Sequence, residues 1–116
     1  MPRNIKRNAQ VPRDEWLKFF DRFAHDNEGR QVKMEQFGRE LGDQRIGESL
    51  PLLAINYDPR SKGDIVTIST GRKEVEYEHV VEAPTQIWVG QDSAGRFEAM
   101  EIINEKGDHV VVSFEQ

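Results

Sequence analysis

The chain contains no cysteine. That removes disulfides, thiolate metal sites and cysteine nucleophiles together, and it fits a reducing, cytoplasmic compartment. Long apolar runs are missing too. Nothing approaches the roughly 20 residues that cross a bilayer, so no membrane partner is expected. The first residues lack the apolar segment of a signal peptide. Histidine is scarce: His25, His79 and His109 are the only three, at no metal-ligand spacing. No glycine-rich loop leads from a strand into a helix, and no serine sits in a Gly-x-Ser-x-Gly elbow. Sequence reading therefore expects no cofactor, no metal and no catalytic constellation, with His79 the one candidate for chemistry.

What remains is polar but foldable. Apolar residues make up 36% and charged residues 32%, yet two Trp, two Tyr and six Phe are too many for a disordered chain. A length of 116 residues supports one domain. Charge is unevenly placed. Arg3, Lys6, Arg7 and Arg13 give the first thirteen residues +4, against −9 for the rest. Residues 1–11 read as a flexible basic arm ahead of a single domain at 12–116. A basic arm on an acidic body suits contact with nucleic acid or an acidic protein surface.

Residues 12–29 carry the strongest periodicity. Trp16, Phe19, Phe20 and Phe23 recur at helical spacing, and Leu17 and Ala24 widen the stripe. Pro12 suits the first helical position, Asp14 and Glu15 favour the helix dipole, and Gly29 is a left-handed stop. After Gly29 the period falls to two. Strands are expected over 30–37, 44–49, 52–57, 65–70, 74–82, 85–91, 96–103 and 108–115. Asp92–Gly95 and Asn104–Gly107 each begin with Asx and end in glycine, the pattern of a type I turn closed by a glycine bulge. With one helix and only short antiparallel strands, doubly wound α/β folds are excluded. The expected fold is α+β: an N-terminal amphipathic helix packed on a strongly bent antiparallel sheet or partly closed small barrel of six to eight strands.

Along residues 74–82, Val75, Tyr77, His79 and Val81 share one face, and Glu74, Glu76, Glu78 and Glu82 share the other. His79 thus faces the apolar side, as a hydrogen-bonded core histidine or as a base or ligand in a cleft. Trp88 points opposite to Ile87 and Val89, and Tyr57 raises the same question. Each is a stacking platform or partner anchor if uncovered, and a packed residue if the sheet curls over it.

The segments Val11–Gly29, Leu50–Asp58, Gly63–Ser69, Glu78–Val89 and Ala99–Asp108 together resemble a family of short bacterial proteins catalogued only as a domain of unknown function. The residues that carry the likeness are Pro12, Arg13, Trp16, Phe19, Phe20, Phe23, Leu50, Pro51, Leu52, His79, Pro84, Glu101, Ile102 and Gly107. The resemblance implies a bacterial source and one compact domain, and it brings no activity. The leading expectation is a non-catalytic module that binds an unknown protein partner or associates with itself. One alternative is a nucleic-acid-binding small barrel that uses Arg3, Lys6, Arg7 and Arg13 with Trp88 or Tyr57. The other is a small-ligand binder or enzyme centred on His79.

Overall fold

The computed structural model describes residues 7–38 and 42–115. Arg3 and Lys6 lie outside the described residues. The described residues form one α-helix and eight strands, with two short 3-10 turns: β1 (Arg7–Val11), α1 (Trp16–Asn27), β2 (Gln31–Gly38), β3 (Gly42–Asp58), β4 (Ile65–Thr70), β5 (Tyr77–Glu82), β6 (Pro84–Gln91), β7 (Phe97–Asn104) and β8 (His109–Phe114). The strands form one sheet in the order β1-β6-β7-β8-β2-β3-β4-β5. All seven pairings are antiparallel.

The aromatic stripe explains α1. A short 3-10 turn, Arg13–Glu15, leads into it. Trp16, Phe20, Phe23 and Ala24 are buried, and α1 lies against β3. Each large side chain removed from water contributes about 1.5–3 kcal/mol, so this face holds the helix down more firmly than its own propensity does. The Trp16 indole N–H also donates to the Val11 carbonyl at 2.9 Å, which ties the helix to β1. Phe19 is half-buried and packs on Phe20, Phe23 and Phe97. Leu17, expected to widen the buried stripe, is instead 59% exposed. Gly29 ends the helix region at φ +87°, in the left-handed conformation that only glycine adopts cheaply.

Three elements differ from the sequence reading. Residues 7–11, expected to belong to a flexible arm, form edge strand β1 against β6, with Val11 opposite Ile87. Of residues 8–11 only Val11 is buried, so the apolar pattern is weak, and the partner strand lies about 80 residues further along the chain. The two strands expected at 44–49 and 52–57 are one bent strand, β3. Its first part pairs with β2 and its second with β4. The register shifts between Val32 and Met34 and between Leu52 and Ala54, beside the place where β3 changes partners. Pro51, which has no N–H to give a ladder, lies between these two shifts, in register with Gln31. The strand expected from residue 74 begins at Tyr77. Residues 71–76 form a loop in which the Glu76 carboxylate accepts from the Arg72 backbone and guanidinium, leaving Val75 exposed.

The glycine turns form as expected. Asp92 Oδ1 accepts from the backbone N–H groups of Ala94 and Arg96, and Asn104 Oδ1 accepts from those of Lys106 and Asp108. Met100, Ile102, Val110, Val112 and Phe114 all face the core.

The sheet curls but does not close. Its two ends, β1 and β5, are not paired. β5 and β6 are six antiparallel steps apart and so run in the same sense. Ala83 alone joins them, at φ +50°. The chain therefore passes from one end of the sheet to the strand beside its other end through a single kinked residue.

Candidate functional site

The unpaired edge of β5 borders a groove of about 340 Å³. Five consecutive residues, 79–83, line it. Side chains in a strand alternate between faces, so a groove lined by an unbroken run follows the strand's edge rather than one face. β5 bonds to β4 on one side only, so the backbone groups of its other edge have no strand partner among the described residues. Val81 and Val110 are the buried members, and the turn from Asn104 to Asp108 forms the facing wall. That turn is fixed to the end of β5 by Glu105 N–H, which donates to the Ala83 carbonyl at 2.9 Å.

His79 stands where the sequence placed it, half-buried on the inward side with Tyr77. The Tyr77 hydroxyl is 3.2 Å from its Nδ1, and the two rings lie nearly parallel at 24°. Burial disfavours the imidazolium and lowers the His79 pKa below the ordinary 6.5. The charged groups lining the groove are Glu82, Glu105 and Asp108 against Lys106. On the exposed face of β5, Glu78, Val80 and Glu82 alternate acid, apolar, acid, and Val80 is 49% exposed. The groove and its rim are thus acidic, with an apolar centre. No group of three or more His, Cys, Asp or Glu among the described residues could hold a metal.

The other candidates are scattered. Trp88 lies half-buried on the sheet face opposite Ile87 and Val89, with its indole N–H donating to Gln86 at 3.0 Å. It borders a shallow depression of about 190 Å³ floored by Gly90 and Ala99. Nearby on that face, His109 Nδ1 is 2.8 Å from Glu101 and its ring stacks on Phe37. Tyr57 packs edge-on against Trp16 at 5.5 Å and beside Phe20, so it stands under the helix and not beside Trp88. Arg7 lies in β1.

Arg13 is engaged inside the fold. Its guanidinium lies 4.3 Å over the Trp16 ring, donates to the Pro84 carbonyl at 2.6 Å and sits 3.7 Å from Asp64. Arg30 is used similarly at another point: it donates to Asn27 and to the Phe97 carbonyl and lies over Phe114. Sequence reading missed the β5 groove as a site. The alternation of Glu78, Val80 and Glu82 was legible, but the free edge follows from strand order.

The fold and the groove define a small single-helix α+β domain with an incompletely closed antiparallel sheet. Comparison places it by descent: residues 7–116 match the model of a family of unknown function, DUF5335, and the chain belongs to that family. It is 28% identical over 102 residues to an uncharacterised protein of Aquifex aeolicus (strain VF5), covering 88% of this chain and 86% of that one. The bacterial character implied by the resemblance agrees with this relative. No solved structure matches. No helix among the described residues is long and apolar enough to cross a membrane.

Proposed function

We propose that the domain is a non-catalytic interaction module that takes an extended, basic peptide segment along the free edge of β5. One observation carries this reading: the groove follows an unpaired strand edge. Strand addition uses the backbone for affinity and flanking side chains for selectivity. Here Glu78, Glu82, Glu105 and Asp108 favour a cationic segment, and Val80 favours an apolar residue between the cations. In this reading His79, beside the Tyr77 hydroxyl, is part of the groove's inner wall, where burial disfavours its charged form. A cytoplasmic location fits the absence of cysteine.

The test is a titration of the labelled protein, followed by amide NMR, with two synthetic heptapeptides. One alternates Arg–apolar–Arg and the other Glu–apolar–Glu. Saturable shifts at residues 78–83 and 104–108 with the basic peptide only, weakening with salt, are expected. Shifts confined to Trp88, Ala99 and Val111 would move the docking surface to the other sheet face, and no saturable binding would end the proposal.

A further inference from the structure

Resting on the strand-addition reading, we infer that the segment this groove takes is the N-terminal segment of a second copy of the chain, residues 3–7. Read with period two, Arg3, Ile5 and Arg7 alternate base, apolar, base. The exposed face of β5 alternates acid, apolar, acid at Glu78, Val80 and Glu82. Laid antiparallel, the two stretches pair Arg3 with Glu82, Ile5 with Val80 and Arg7 with Glu78. Directly opposed residues in such a pair are close enough for opposite charges to attract and apolar groups to pack. The intervening Lys6 falls beside His79, in a groove whose other charges are mostly acidic.

A copy cannot supply this segment to itself. Arg7 is held opposite Gln91, the far end of β6, whereas β5 joins β6 at its near end, before Pro84. Because β5 and β6 run in the same sense, Tyr77 and Glu78 lie still farther from Gln91 along the strands. The Arg7 that meets Glu78 therefore belongs to another molecule. β5 does not serve as its own partner either. Antiparallel pairing of two β5 edges centred on Val80 sets Glu78 against Glu82 twice, and like charges directly opposed are destabilising. The contact joins two different surfaces, so two copies that exchange segments reciprocally close as a two-fold dimer, and copies that do not exchange reciprocally build larger rings or chains.

The experiment is sedimentation of the full-length protein over a concentration series at low salt, with charge-reversed variants. Wild type should associate reversibly. Arg3→Glu alone and Glu82→Arg alone should each weaken association about tenfold or more, the effect of losing a close charge pair and gaining a repulsion. A protein carrying both Arg3→Glu and Glu82→Arg should regain most of the wild-type association. Circular dichroism melts of the variants show whether each remains folded. Wild type that is monomeric up to about 1 mM, or a double variant no better than the singles, overturns the inference. In that event the peptide titration separates the two ideas. Basic-peptide shifts at residues 78–83 would mean that strand addition stands and only the occupant is wrong, and their absence would remove both.

Discussion

Replacing Arg13 with alanine tests whether this side chain is a rivet of the fold or a free cation. The structure gives it three contacts. The hydrogen bond to the Pro84 carbonyl, 2.6 Å long and donated by a charged group, is worth about 1.5–3 kcal/mol. The guanidinium over Trp16 adds about 0.5–1 kcal/mol. The ion pair with Asp64, at 3.7 Å with side chains 33% and 24% exposed, is screened and adds about 0–1 kcal/mol. Removing the side chain also strips the nearest cation from Asp64 Oδ1, which is buried with no hydrogen-bond partner among the described residues. Arg13→Ala should thus cost about 2–5 kcal/mol. For a domain of this size that lowers Tm by about 8–20 °C. Arg13→Lys keeps the charge but loses the planar group over Trp16, and it should recover less than half of the loss. Urea and thermal melts followed by circular dichroism measure both. A loss below about 0.5 kcal/mol for Arg13→Ala, the size of an ordinary surface change, would refute the reasoning and return Arg13 to the pool of free surface cations.

His79 should make stability depend on acid. Its pKa is lowered in the folded state by burial, so the unfolded chain binds the proton first, and stability falls as pH drops through about 6.5. Urea midpoints at pH 7.5 and 5.5 should differ more for wild type than for His79→Gln; equal differences would show that burial of His79 does not drive this dependence. Gly71→Ala should destabilise strongly, because a Cβ at this buried position would collide with the Glu74 carbonyl and the Glu76 backbone nitrogen, and overpacking of that kind costs about 1–3 kcal/mol or more. A chemical melt unchanged from wild type would show that the 71–76 loop yields freely. Ile102→Ala, at a position 0% exposed, should cost about 2–5 kcal/mol by the same assay, and a cost under about 1 kcal/mol would contradict its place in the core.

The helix, the glycine turns and most strands were legible in the sequence because each is specified locally. Trp16, Phe20 and Phe23 mark a helical face without reference to any partner, and Asp92 and Asn104 close their turns within four residues. The inward side of β5 was legible for the same reason, since Tyr77, His79 and Val81 alternate with Glu78 and Glu82. What could not be read depends on distant partners. β1 is a strand only because β6 lies beside it, and β3 continues past Pro51 only because β2 and β4 take its two parts in turn. The groove is set by which strand ends the sheet. Arg13 looked like a member of the basic arm because its three contacts come from Trp16, Asp64 and Pro84, and only the fold gathers them.

The place of β8 has a consequence for how the molecule is made. β8 is last in the chain order of the described strands, yet it sits in the middle of the sheet, between β7 and β2. Val32 pairs with Phe114, and Phe37 with His109. During synthesis, β2, β3, β4 and β5 can assemble on one side and β6 and β7 on the other, but each half keeps a raw inner edge until residues 109–114 arrive. Those residues are largely apolar, and exposed apolar edges invite wrong pairing. Completion of the sheet therefore waits on contacts about 80 residues apart in sequence, which slows folding relative to a domain built from neighbouring hairpins. A nascent chain stalled before residue 109 lacks the strand that joins β7 to β2.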